Sequence, residues 1–313
     1  MIAVDNLTKR YAGVTAVDGI SFRVGAGEIL GFLGPNGAGK TTTMRILTCF
    51  MPATSGAASV GGYDVFDQSL QVRRLVGYMP ENVPLYTDMR VREYLDYRAK
   101  LKEVPRSKRR KAVDDALERC WITDVSTRVI GQLSKGYRQR VGLADTLVHD
   151  PKVLILDEPT IGLDPNQVRR VRELIRNLGE DHTVILSTHI LPEVEMTCSR
   201  VIIIHNGRLV AEGTPGDLAA ARDGGSFVRM EVRGPARQIE DTLRKVPGVA
   251  KVSCDEAAGS CRLIVTPKEG DPRTELARVV VNSGWDLLEM HQEGASLEDI
   301  FVQITTEDRG GKE

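Results

Sequence analysis

Through roughly the first two thirds of the chain, short β-forming runs alternate with segments whose apolar residues recur every three or four positions. Val153-Leu154-Ile155-Leu156, Val184-Ile185-Leu186 and Val201-Ile202-Ile203-Ile204 carry no polar alternation. Strands covered on both faces, as in a parallel sheet, read this way. Asp164 followed by Pro165 supplies an N-cap and an N1 proline. Val168, Val171, Ile175 and Leu178 keep helical spacing, and Gly179 sits at the C-cap position, which together predict a helix completing a βα unit. Asn206-Gly207, between residues 201–204 and Leu209-Val210, predicts a two-residue hairpin turn. Over about residues 87–145 the pattern becomes helical and charge-rich, an inserted helical subdomain. Its residues 106–111 hold five basic side chains and one serine, read as a solvated helix face.

A boundary is expected within residues 213–225, rich in Gly, Pro and Ala. Beyond it, Val228, Met230 and Val232 alternate with Arg229, Glu231 and Arg233, and Ile239, Leu243 and Val246 follow helical spacing. Strands at 249–254 and 261–266, a helix from Asp271-Pro272 to Gly284 and a strand at 285–290 complete the order β-α-β-β-α-β, the split βαβ arrangement. Ser296 with Asp299 reads as a capping box for a last helix carrying Leu297, Ile300, Phe301 and Ile304. One domain is therefore expected over 1–220 and a small α+β domain, ferredoxin-like in order, over 225–306.

Charge changes this picture little: 42 Lys and Arg stand against 43 Asp and Glu, so no overall pull toward nucleic acid or anionic lipid is indicated. No apolar run approaches the ~20 residues of a bilayer-spanning helix, and residues 1–9 lack the order of a secretory leader, so a cytoplasmic protein is expected. Cys49, Cys120, Cys198, Cys254 and Cys261 are scattered without C-x-x-C spacing and are expected to be reduced structural thiols.

The chemistry concentrates in two places. Gly34, Pro35, Asn36, Gly37, Ala38, Gly39, Lys40 and Thr41 fit G-x-x-x-x-G-K-[ST] between a strand-like run at 29–33 and a helical run starting at Thr42. Glycines let backbone N–H groups wrap a polyphosphate, the helix adds its positive end, Lys40 neutralises β and γ oxygens, and Thr41 offers a hydroxyl to Mg²⁺. Asp157 and Glu158 close an apolar strand, where paired carboxylates are costly without a cation nearby. Strand alternation separates their tasks: Asp157 to the metal through water, Glu158 to the attacking water.

Leu133-Ser134-Lys135-Gly136-Tyr137-Arg138-Gln139-Arg140 resembles the signature sequence of the ATP-binding-cassette (ABC) family, and other motifs of that family stand in order around it. Tyr11 resembles the aromatic that stacks on adenine. Residues 158–164, ending in Asp164, resemble the Walker B end and D-loop, and Ser187-Thr188-His189 the switch histidine that contacts the γ-phosphate. The resemblance covers about residues 2–220. It implies an α/β P-loop NTPase cassette: a mixed sheet core, an antiparallel β part and the inserted helical subdomain. It further implies ATP and Mg²⁺ as ligands and a head-to-tail pair of cassettes, each ATP lying between one phosphate loop and Ser134 and Gly136 of the other copy. Four positions, in three places, depart from the family pattern. Lys135 and Tyr137 replace a glycine and a glutamine, Glu81 replaces the Q-loop glutamine that reaches the metal, and Ile161 stands where small polar residues are frequent.

Residues 80–86 and 91–95 are similar to ATPases of the drug-export and gliding-motility branches. That similarity implies the ATP-hydrolysing subunit of an exporter, held at the inner face of the membrane by separate transmembrane permease chains docking near residues 81–95. The rival class, soluble ABC ATPases acting on ribosomes or DNA, carries two cassettes or long coiled coils. One cassette without sustained heptads disfavours it, and no nucleic acid partner is expected. The cargo is not written in this chain, since its contacts would belong to the permease.

Overall fold

The chain opens as an antiparallel hairpin, β1 (Ile2–Tyr11) with β2 (Val14–Val24), and its apolar run β3 (Ile29–Leu33) then enters a second sheet. In the computed structural model, residues 1–220, 227–257, 260–268 and 270–293 are described. They divide into two units, Met1–Pro215 and Gly216–Glu313.

In the first unit α1 (Lys40–Leu47) follows β3. β4 (Ser55–Val60) and β5 (Tyr63–Asp64) then complete an antiparallel sheet of order β2-β1-β4-β5. The chain continues through α2 (Ser69–Leu75) and β6 (Val76–Met79), then into helices α3 (Val91–Leu101), α4 (Arg106–Arg119) and α5 (Lys135–Leu147). It returns as β7 (Val153–Asp157), α6 (Pro165–Leu178), β8 (Thr183–Thr188), α7 (Leu191–Thr197) and the hairpin β9 (Arg200–His205) with β10 (Arg208–Gly213); the short helix α8 (Pro215–Ala220) then spans the boundary between the units. The second sheet runs β10-β9-β3-β8-β7-β6, parallel except for β10. All five residues of β7 and all six of β8 are buried, which is why their sequences lack polar alternation. Phe22 and Phe32, ring centroids 5.6 Å apart, join the two sheets in one core.

Within the helical insertion α5 is the buried element. Tyr94 and Arg98 of α3 both donate to its Asp145, Tyr94 Oη to Oδ2 at 3.1 Å and Arg98 Nε to Oδ1 at 2.7 Å. The basic run opens α4 and is mostly exposed, so it behaves as a solvated face.

Two glycines differ in what they do. The expected hairpin turn has Asn206 at φ 48° and Gly207 at φ 78°, the geometry that favours this pair, and Gly207 N–H donates to Ala38 O at 3.0 Å. Gly179 does follow α6, but in right-handed conformation (φ −62°). A Cβ there would lie 2.5 Å from Ile29 Cδ1, so the close approach of that β3 side chain, rather than a left-handed backbone, favours glycine.

The second unit orders β11 (Phe227–Arg233), α9 (Ala236–Leu243), β12 (Val249–Ala257), β13 (Ser260–Pro267), α10 (Arg273–Asn282) and β14 (Asp286–Glu293) into a sheet β12-β13-β11-β14, all neighbours antiparallel. Val228, Met230 and Val232 enter its own core with Ile239, Leu243, Leu263 and Val280. The helix expected around residues 296–304 lies outside the described residues. The expectation of five reduced cysteines is corrected: Cys254 and Cys261, on adjacent strands, form a disulfide, while Cys49, Cys120 and Cys198 are free.

Ile155, fully buried at the centre of β7, should lose about 2–5 kcal/mol of stability when changed to Ala. Chemical denaturation is expected to show that loss in the transition of the first unit, with the second unit's transition unmoved.

Candidate functional site

Residues 34–40 turn tightly between β3 and α1, and two glycines make the turn possible. A Cβ on Gly34 would stand 2.4 Å from the Ile204 carbonyl oxygen, and Gly39, at φ 106°, would place one 2.4 Å from the Ala16 carbonyl oxygen. Backbone cannot yield as a side chain can, so substitution at either position distorts the loop. The ammonium of Lys40, only 6% exposed, donates to Gly34 O at 2.7 Å and Pro35 O at 3.2 Å and stands 3.6 Å from Glu158 Oε1. Burial lowers the Lys40 pKa, opposed by the charges of Glu158, Asp157 and Glu81.

Asp157, the last residue of β7, is fully buried. Its Oδ1 accepts from Ser187 Oγ at 2.7 Å, while Oδ2 has no hydrogen-bond partner. Burial raises its pKa, countered by the Ser187 hydrogen bond and the neighbouring Thr41 hydroxyl. A buried carboxylate with one oxygen unmatched, beside the Thr41 hydroxyl and a phosphate-shaped loop, is a donor set that suits Mg²⁺ held between protein and nucleotide.

Glu158 takes the left-handed backbone conformation, φ 52°, unusual for a residue with a long side chain. Its amide is anchored to Ser187 O at 2.8 Å, and the turn sends the carboxylate back over the loop. There His189 Nδ1 donates to Glu158 Oε1 at 2.8 Å. The cavity beneath, about 380 Å³, is lined by Pro35, Asn36, Gly37, Gly39, Lys40, Thr41 and Thr42 from the loop, and also by Glu81, Glu158, Ile161 and His189. The sequence-derived residues of the phosphate loop, the acidic strand end, the Q-loop position and the switch histidine thus converge.

The others stand apart from this cavity. Tyr11, 44% exposed, directs its hydroxyl to Met51 Sδ at 3.0 Å. Ser134 caps α5, its Oγ accepting from Tyr137 N at 3.4 Å, and Gly136 packs against Gln167. Asp164 caps α6 by accepting from Gln167 N at 2.9 Å. Sequence reasoning missed Glu193, 1% exposed on α7 and bonded to Thr160 and Thr188. Its only signal is an acidic residue on an otherwise buried helix face just after the switch histidine.

The ABC transporter family pattern matches residues 17–161. The linearmycin resistance ATP-binding protein LnrL of Bacillus subtilis (strain 168) is 30% identical over 306 residues, 97% of this chain and 98% of its own. The daunorubicin resistance ATP-binding protein DrrA3 of Streptomyces coeruleorubidus is 32% identical over 313 residues, 100% of this chain and 98% of its own. The chain belongs to the ABC transporter family, as an ATP-binding protein. Among solved structures, an ATP-binding subunit of an ABC transporter superposes with TM-score 0.66 at 29% identity, over 71% of this chain and 92% of that one. A dimeric bacterial ABC transporter cassette gives TM-score 0.64 at 25% identity, over 68% and 98%. As an ABC ATPase, the chain binds ATP and hydrolyses it.

In this ABC ATPase the departures of the signature sequence are absorbed within the chain. Tyr137 lies under the Arg140 guanidinium, 4.2 Å from its ring centroid, and donates its hydroxyl to Asp124 Oδ2 at 2.6 Å. The aliphatic end of Lys135 covers Gly162, where a Cβ would lie 2.6 Å from Lys135 Cε.

Because burial holds the Asp157 pKa above its ordinary 3.8, the stability contributed by its protonated form is complete below that value and is lost as pH rises through the raised one. Asp157→Asn removes that cost. It is therefore expected to raise the nucleotide-free melting temperature at neutral pH, while the further rise on adding Mg²⁺ with ATP disappears. Differential scanning fluorimetry with and without Mg²⁺ reads both.

Proposed function

We propose that this chain is the motor subunit of an exporter, in which Lys40 receives the β and γ phosphate oxygens and Glu158 is the base for the attacking water. The observation that carries the chemistry is Glu158 Oε1 held between Lys40 and His189 over the phosphate loop. An ammonium that leaves the loop carbonyls for phosphate also leaves Glu158, freeing that oxygen to take a proton. His189 keeps the carboxylate aimed, and its exposed side can reach the γ-phosphate. When bound, Mg²⁺ would neutralise developing charge on the phosphates, with Thr41 and Asp157, and Glu81 through water, as its holders.

Ser134, Gly136 and Asp164 lie outside the chain's own cavity, which supports their use by a second copy. There the N-terminus of α5 and the Ser134 hydroxyl would close over the partner's ATP. Tyr11 would stack on adenine. The proposed export role rests on relatives named for drug resistance, bacitracin transport and Nod factor export. A cleft of about 660 Å³ supports permease docking. It includes Pro80, Asn82, Val83, Pro84 and Tyr94 near the expected place, with Phe50 72% exposed on its rim. His149 in this cleft is pushed down to about 4 by burial, so it stays neutral at physiological pH, and its Nδ1 has no hydrogen-bond partner. Among the described residues no helix is long and apolar enough to cross a membrane, so attachment to the inner face would come through the permease. The unit after Pro215 is proposed to tune the pairing of cassettes.

Glu158→Gln is expected to bind ATP, hydrolyse it at least ~100-fold more slowly and form an ATP-dependent dimer in light scattering. A mass that ignores ATP would remove the paired-cassette reading. A chain ending at Ala220 is expected to bind ATP with unchanged affinity by fluorescence titration, and a shifted dimerisation constant would support the tuning role.

A further inference from the structure

Glu193 is 1% exposed and each of its carboxylate oxygens accepts from a hydroxyl: Oε1 from Thr160 and Oε2 from Thr188 at 3.0 Å. Both donors are buried and come from separate segments, Thr160 two residues beyond Glu158 after β7 and Thr188 as the last residue of β8. A threonine hydroxyl has one hydrogen and two lone pairs. Thr188 Oγ1 spends a lone pair on Ile190 N–H at 3.1 Å, and two carboxylates compete for its hydrogen: Glu193 Oε2 at 3.0 Å and Glu158 Oε2 at 3.4 Å. The shorter contact takes it. Glu158 Oε2 is left with only the longer, weaker contact to Thr188, while Oε1 faces His189 and Lys40.

We propose that Glu193 is a positioning residue for hydrolysis, drawing the Thr188 hydrogen away from Glu158. The proposal rests on Glu158 as the base. A hydrogen bond donated to a carboxylate stabilises its charged form and weakens it as a base, so the direction of one hydroxyl matters. In Glu193→Gln one acceptor oxygen becomes an N–H₂ donor. Facing Thr188, that donor occupies a hydroxyl lone pair and turns the hydrogen onto Glu158.

The test uses the full chain with Mg²⁺ and ATP, measuring steady-state hydrolysis and, separately, ATP affinity and melting temperature. Glu193→Gln is expected to lower kcat about tenfold or more with ATP affinity within about twofold. Adding Thr188→Val should restore part of that loss, since the misdirected hydrogen is gone. A purely structural role gives no such rescue. Thr188→Val alone should stay within about threefold of wild type, a measurement independent of whether Glu193→Gln folds. Wild-type kcat in Glu193→Gln, losses that multiply in the double variant, or a hundredfold loss in Thr188→Val each overturn the proposal. Glu158→Gln is the control: if it turns over normally the base assignment fails, whereas an inactive Glu158→Gln beside a fully active Glu193→Gln removes Glu193 alone.

Discussion

Two carboxylates at the buried end of β7 set the terms for everything around them. Asp157 and Glu158 leave water at the tip of a strand covered on both faces, and one ammonium, Lys40, stands close enough to offset them. Such a group is tolerable only in a place where further cations arrive, and the loop that brings Lys40 also presents backbone N–H groups to a polyphosphate. The same arrangement thus requires a ligand and recruits it. The parallel order β9-β3-β8-β7 places the loop after β3 beside the ends of β7 and β8, so Asp157, Glu158 and His189 meet it without long connections.

The helical insertion joins this centre to surfaces elsewhere on the first unit. α5 begins at the Ser134 cap and near its other end carries Asp145, locked by Tyr94 and Arg98 beside the cleft. On the proposed roles of the cleft and of Ser134 and Gly136, a buried helix with a polar lock at one end and the signature residues at the other would link permease docking mechanically to a partner's nucleotide. That link would rest on local contacts alone.

Much of this was legible in the sequence because strong local rules were at work. A glycine pattern before a lysine, apolar runs ending in acids, and Asn206-Gly207 have few other physical solutions. What stayed hidden depended on contacts between distant segments. Gly179 does cap α6, but the close approach of Ile29 to it could not be read, since that residue lies far away in the chain. The Cys254–Cys261 bond needed the β12–β13 register, and Glu193 acquired meaning only when two segments closed on it. The positive φ of Glu158 had no sequence signal at all, because glutamate is a poor occupant of that region.

That backbone strain has a consequence for anyone evolving the molecule toward heat resistance. A left-handed glutamate costs about 1 kcal/mol or more, which glycine at the same place would release. A screen that rewards only persistence of the fold would therefore favour Glu158→Gly, a change that looks beneficial on a melting curve and, on the role proposed for Glu158, removes the base for hydrolysis. Durability and work are opposed at this single peptide unit, so a useful screen has to score turnover alongside survival.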